Sequence, residues 1–408
     1  MLTNDDIVRF CGQFNYDIRV SGNGRWIDQK CAADVVTVVA DCIFNYALGH
    51  EGTIFTTSDI WHYDYTVENV EAIFRKPGVE RIEAKSEYDK FFQQPMEMLA
   101  NAGVLIKQKR GNRNQYSVGN YEVLEYIAMR ERNALFFLKT YIEKVLTDSG
   151  LYSTFERFFE TQDKSSYEVM KSAFSSFTIR YTNINGEVEC NRIFIKVLNP
   201  LAYFKNSRGT EKGRLSDHPI TYDMLMYNRN NFRDLYAAKP KGVTRKEYAA
   251  LHPVVVNEAY YRYQSSRAKR YLRRFNDIYR DGKTEYPDGI HVNDQATQMH
   301  HIFPEADYPE ICYYLENLIA LTPTQHLGYA HPNNRTQEIN EAYQQLLLLA
   351  KADRIQENLE GRCGEVIYEF SNLLFVLNVG FDDEDVLTID DMDFLSVVNA
   401  INIHYVAV

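Results

Sequence analysis

Two histidines stand side by side in Gln298-Met299-His300-His301-Ile302-Phe303-Pro304. Imidazole both ligates divalent metals and takes up protons near neutral pH. Successive side chains of a strand point to opposite faces. One histidine can therefore hold a metal ion while the other deprotonates a water. Asn317 follows sixteen residues after His301, and His326 follows twenty-five after it. Between them, Tyr313 to Leu321 is apolar-rich and leads into a polar segment that can start a helix. Strand, loop, strand and helix, with histidine on the first strand and on the helix, make a compact one-metal site.

Residues 285–340 resemble the HNH nuclease family, whose core is a ββα-metal hairpin and helix. The resemblance rests on His-His-Ile-x-Pro, the Asn317-Leu318 pair and His326. It implies His300 and His326 as metal ligands, His301 as general base and Asn317 as the amide that braces the loop. It also implies a basic residue past the helix at the scissile phosphate, which Arg335 can supply. Many members of that family flank the hairpin with zinc-binding cysteine pairs. Here those places hold residues such as Thr322 and Gln325, so no structural zinc is expected. Packing of Ile302, Phe303, Leu318, Ile319 and Leu321 is expected to hold the hairpin instead.

The site needs carriers. A chain of 408 residues exceeds the usual size of one core. The fold expected is α+β and multidomain. Residues 1–120 form an N-terminal helical and winged-helix-like DNA-reading domain. A helical linker and basic central DNA-binding region covers 121–284, the nuclease core 285–340 and a C-terminal helical segment 341–408. Six scattered cysteines without a Cys-x-x-Cys pair suggest free buried thiols in a reducing cytoplasm. The acidic, polar start does not read as a signal peptide. No apolar run approaches the ~20 residues of a membrane span.

The net charge of −11 is unevenly spread. Residues 201–284 hold eighteen Lys or Arg against eight Asp or Glu, a net +10 that leaves −21 elsewhere. Such a basic region is the footprint of a phosphate-binding surface.

Along the chain, Ile27 to Ala47 has helical spacing, with Gly49 as a stop. Thr57 and Ser58 can cap a short helix beginning near Asp59. Lys85 to Ala102 predicts a longer helix, which Pro95 should kink or split. Strands 104–110 and 114–118 flank the Gly111-Asn112 turn, and Lys107, Lys109, Arg110 and Arg113 make that turn basic. It suits DNA, although a protein-binding winged helix carries the same pattern. Tyr121 to Arg132 and Ala134 to Thr147 predict helices, and Gly150 a stop. Phe177 to Tyr181 and Cys190 to Val197 read as two strands about an Asn185-Gly186 hairpin. Residues 206–255 read as a polar loop in which Arg229, Asn230, Asn231 and Arg233 suit base edges, or as an ordinary exposed loop. Residues 256–281 predict one helix, buried through Tyr260, Tyr263, Tyr271, Phe275 and Ile278. Arg267, Arg270 and Arg274 share one face, and Asp277 alone cannot neutralise them, so phosphate is the expected partner. Further helices are expected over 340–358 and 368–379. His331 falls in a polar loop, as second-shell support or as a loop histidine. The acidic run after Asp382 suggests a solvated loop or helix N-terminal charge, with a second cation as the other reading.

These features predict a metal-dependent DNA endonuclease, sequence-specific or modification-dependent, of restriction type. Double-stranded DNA is the expected partner and no membrane is. A homodimer is also expected, because one site cuts one strand. The cofactor is one divalent ion of the Mg, Mn or Ni type. Imidazole ligands favour Mn²⁺ or Ni²⁺ over Mg²⁺. Two other functions fit the same residues: a non-specific or RNA-directed nuclease, and a winged-helix DNA-binding regulator with a degenerate hairpin.

Overall fold

The computed structural model describes residues 1–48, 52–74, 84–227, 243, 247–248, 258–291, 293–331 and 340–406. It is mixed α+β and mostly helical, with two-stranded antiparallel sheets. The chain divides into two compact units, Met1–Asp234 and Leu235–Val408. Among the described residues, no helix is long and apolar enough to cross a membrane. All six cysteines are free thiols, and five of them are buried.

The first unit is built on helix Ala33–Ala47, buried along most of its length. A helix that is apolar all round belongs in a core, and Tyr121–Met129, Glu131–Asp148 and Ala84–Asn101 pack on it. It starts at Ala33 rather than Ile27, because Ala32 is extended and ends the preceding turn. Gly49 lies outside the described residues. Thr56, not Thr57 or Ser58, caps helix Thr57–Trp61. Its hydroxyl accepts from the Asp59 amide, and the Asp59 carboxylate accepts from the Thr56 amide at 2.7 Å. Helix Ala84–Asn101 is not split at Pro95. Buried Phe91, Phe92, Met96, Met98 and Leu99 offset the roughly 3 kcal/mol that an interior proline costs. The helix expected to end at Arg132 stops at Met129, where Arg130 turns extended, and the next begins at Glu131.

Strands β1 (Leu105–Arg110) and β2 (Arg113–Val118) pair antiparallel, Lys107 opposite Tyr116 and Arg110 opposite Arg113. Gly111 takes the positive φ that the turn requires. Phe55 and Tyr116 exchange backbone hydrogen bonds of 2.9 and 2.8 Å beside this hairpin.

The two strands expected at 177–181 and 190–197 are helices, Lys164–Tyr181 and Glu187–Phe204. Tyr167, Met170, Phe174 and Thr178 are buried at spacings of three and four, as are Cys190, Ile193, Val197 and Leu201. Helical period outweighed the aromatic and β-branched content of the two segments. Part of the stretch from 206 forms a hairpin, β3 (Arg208–Glu211) and β4 (Arg214–Pro219). Buried Asn199 ties it to the helix, donating to the Thr210 carbonyl at 3.0 Å and accepting from its amide at 2.8 Å.

In the second unit, helix Glu258–Tyr279 packs on strands β5 (Gln298–His301) and β6 (Leu318–Leu321). The strands pair antiparallel, with His301 opposite Leu318 and His300 opposite Ile319. Ile302, Phe303, Leu318, Ile319 and Leu321 are all buried. Ile278, expected inside, is 46% exposed, one residue before the end of the helix. Helices Glu341–Leu359 and Phe370–Phe381 follow, and the acidic segment leads into a third helix of the C-terminal segment, Phe394–Val406.

Glu285 sits at the centre of this unit, fully buried. Its amide donates to the Ala320 carbonyl at 2.9 Å, and its carboxylate accepts from the Ala320 amide at 2.7 Å. Arg280 at 2.5 Å and buried Lys351 at 3.2 Å complete the cluster. Burial pushes the Glu285 carboxyl up, but Lys351 and Arg280 more than offset it and hold it below the usual carboxylate range. Removing one partner of a buried pair strands the other charge. Glu285→Gln, which leaves Arg280 and Lys351 without their carboxylate, is therefore expected to cost this unit about 3 kcal/mol. Lys351→Met should cost less, and Glu285→Gln should cost less in that background than in the wild type. Urea unfolding of the four chains of the cycle measures the coupling, and strictly additive losses would show the two charges to be independent.

Candidate metal centre

Beyond β6 the chain enters a π-helical turn, Gln325–Ala330. In such a turn the amide of residue i+5 bonds back to carbonyl i, and the His331 amide donates to the His326 carbonyl at 3.2 Å. An α-helix would rotate two residues five apart by about 140° from one another. The wider turn instead brings His326 and His331 to one side, facing His300 from β5.

The three imidazoles meet nearly edge to face. Ring centroids are 5.1 Å apart for His300 and His326, 5.1 Å for His300 and His331, and 4.9 Å for His326 and His331. One ligand nitrogen from each lies within 4.8 Å of the others, the one such group of three or more among the described residues. Drawing the nitrogens inward by less than about an ångström would place all three on an ion at ~2.1 Å. His326 Nδ1 is buried without a hydrogen-bond partner, as a nitrogen reserved for a cation would be. Burial first, then the charges of His326 and His331, hold His300 well below the ordinary histidine range. Burial, then His331, lowers His326. His300 and His326 thus hold protons weakly, which leaves lone pairs ready for a metal. The residues fit a divalent ion of the borderline kind that imidazole prefers.

His301 points into different surroundings, as strand alternation requires. Its Nε2 lies 2.8 Å from the Cys312 carbonyl. A carbonyl only accepts, so Nε2 carries the proton and the lone pair is on Nδ1. Burial, and next the nearby Lys269 charge, push this ring down to about 4. Ser265 Oγ lies 3.2 Å from Nε2, and Glu305 Oε2 3.8 Å from Nδ1. That order imitates a hydroxyl–imidazole–carboxylate relay. The Cys312 carbonyl defeats it by occupying Nε2, and Ser265 donates to Glu305 at 3.1 Å. A nucleophilic serine is not available here.

Asn317 is fully buried. It accepts from the Phe303 amide at 2.8 Å and donates to the Phe303 carbonyl at 2.9 Å and the Ile311 carbonyl at 3.2 Å. The loop between the strands is thereby laced to the base of β6.

No family model, curated protein or solved structure matches this chain.

Four of the residues singled out by sequence, His300, His301, Asn317 and His326, meet on this hairpin and turn. Arg270 of helix Glu258–Tyr279 is exposed and Arg274 half-buried, but Arg267 turns inward and donates to the Tyr263 hydroxyl at 3.1 Å. Lys107, Lys109, Arg110 and Arg113 are exposed on the first unit's hairpin. Lys107 is paired there with Glu97 at 2.6 Å. Arg229, Arg233 and Arg335 lie outside the described residues. Sequence reasoning missed His331 as a cluster member, because a spacing of five falls off an α-helical face. It also passed over Lys269, whose charge acts on His300, His301 and His326.

Two measurements follow from this geometry. Deleting Gly328 leaves the two histidines four apart, a spacing that shares a face on an α-helix. Cobalt(II) affinity is expected to stay within about tenfold of wild type, whereas inserting one alanine after Gly328 should abolish it. Visible absorption during titration reads both, and the reverse pattern would count against the turn as ligand carrier. The second concerns pH. Unfolded histidine titrates near about 6.5 and folded His301 near 4. The unfolded chain therefore binds more protons across that window. Stability of the metal-free protein should be full above about 6.5 and fall as pH drops towards 4, and thermal midpoints in chelator measure it. A flat profile would show that the histidines are not held neutral.

Proposed function

We propose that this chain is a metal-dependent DNA endonuclease of the HNH type, acting as a restriction enzyme. The observation that carries the proposal is the three-histidine cluster on the turn that follows an asparagine-braced hairpin. A divalent ion held there would supply Lewis-acid stabilisation of the charge that develops on a phosphate.

The chain's own residues do the rest. His301 is the general base. The Cys312 carbonyl fixes its ring and leaves Nδ1 to accept a proton from water. Its low proton affinity keeps that lone pair available throughout the neutral range. Lys269, half-buried beside both the cluster and His301, adds positive charge for an incoming phosphate. Asn317 keeps the His301 backbone in place through Phe303. Three imidazoles favour Mn²⁺, Co²⁺ or Ni²⁺ over Mg²⁺, which prefers oxygen ligands.

DNA as substrate is supported by the first unit. A buried helix, a hairpin and the Phe55 bridge beside it carry exposed Lys109, Arg110 and Arg113 at one turn. A winged helix that lays a basic wing on a phosphate backbone would use such a hairpin.

Supercoiled plasmid, methylated and unmethylated, incubated with purified protein and Mn²⁺, Ni²⁺ or Mg²⁺ tests the proposal. Metal-dependent cleavage into discrete products is expected, with none in chelator. Intact plasmid under every metal, despite DNA binding, would favour a DNA-binding regulator. His301→Ala should keep cobalt(II) affinity and lose cleavage by about 10²-fold or more. Wild-type turnover in that variant would remove His301 from the base role.

A further inference from the structure

The π-helical turn does not stand alone. Gln325, its first residue, is fully buried, and both ends of its side chain are satisfied from outside the turn. Its Oε1 accepts from the Thr284 hydroxyl at 2.6 Å and the Thr322 amide at 3.2 Å. Its Nε2 donates to the Tyr286 carbonyl at 2.8 Å and to Asp288 Oδ2 at 3.0 Å. Asp288 is itself held. Its Oδ1 accepts from the amides of Ile290 at 3.0 Å and His291 at 2.7 Å, and its Oδ2 pairs with His291 Nδ1 at 2.7 Å. The His291 ring then meets Tyr329, near the far end of the turn, edge to face at 6.0 Å. One loop, Thr284 to His291, thus grips the turn at its first residue and again at its fifth. Neither grip touches a ligand nitrogen.

We propose that Asp288, acting through Gln325 and His291, is a positioning residue that keeps the turn in its wide register and so sets the metal affinity of the His300, His326 and His331 centre. This rests on the reading of that cluster as a metal site. A wide turn spaces its hydrogen bonds poorly and relaxes towards α-helical winding unless something outside holds it. On relaxing, His331 would swing round the axis, leaving two imidazoles where there were three. Groups that orient the bearers of metal ligands commonly matter by 10–100-fold in affinity.

Cobalt(II) titration of the full chain, followed by visible absorption, tests the inference without calling on nuclease activity. The Asp288 side chain is mostly buried, 14% exposed, and Asp288→Asn keeps its volume. The new amide presents a donor where Gln325 and His291 both donate. Its cobalt(II) dissociation constant is expected to rise by about 10–100-fold, with a changed d–d spectrum, in a variant that remains folded in chelator. His291→Phe keeps the ring against Tyr329 but loses the bond to Asp288, and should weaken binding by a smaller factor. A purely structural role would lower the midpoint and leave the affinity of the folded protein alone. That result, or wild-type affinity and spectrum in both folded variants, overturns the inference while the metal centre stands. Failure of the wild type to take up cobalt(II) overturns both.

Discussion

The second unit depends on one buried carboxylate. Strands β5 and β6 have four residues each, and a lone hairpin of that size is at best marginal in water. Glu285 gives the outer edge of β6 a partner. Its amide and its side chain both engage Ala320, much as a third strand would. The charge this buries is balanced by Lys351 from one helix and Arg280 from the end of another. Since the cost of an unpaired buried charge is high, the strand edge and the two helices are fixed together. His300 lies on the neighbouring strand, so the histidine cluster inherits its rigidity from an ion pair outside it.

A comparable economy governs the first unit's hairpin. Buried Glu97 accepts from the Tyr116 hydroxyl at 2.6 Å, Asn114 at 3.0 Å and Lys107 at 2.6 Å. The inward-facing half of the hairpin is thereby satisfied and neutralised. Lys109, Arg110 and Arg113 remain as its exposed charge, gathered at the tip rather than spread along the strands.

Much of the hairpin was legible in the sequence, because its information is local. The His-His pair, the asparagine sixteen residues on and the apolar runs between them are read directly, and β5 and β6 form where those runs lie. The helix periods of Ala33–Ala47 and Glu258–Tyr279 were legible for the same reason. Two kinds of information were not. Segments 177–181 and 190–197 carry strand-like residues on a helical period, and composition misled there. His331, Lys269 and Asp288 belong to the site through winding and long-range packing. A π-helical turn has no α-helical or strand period to detect, and a loop that clamps it from forty residues away leaves no mark in spacing.

The hairpin also leans on a residue with no side chain. The Phe303 ring, next to the bend where Asn317 braces the loop, lies directly on Gly380 of helix Phe370–Phe381. Even a methyl group at that position would overlap the ring. Phe303 has nowhere to retreat, since it is buried and its backbone is bonded both ways to Asn317. Tolerance to substitution should therefore not decline smoothly with distance from the histidines. Position 380, remote from them in sequence and chemically inert, should be among the least permissive in the chain. A survey of random variants would score it with the site residues, although it takes no part in binding or proton transfer.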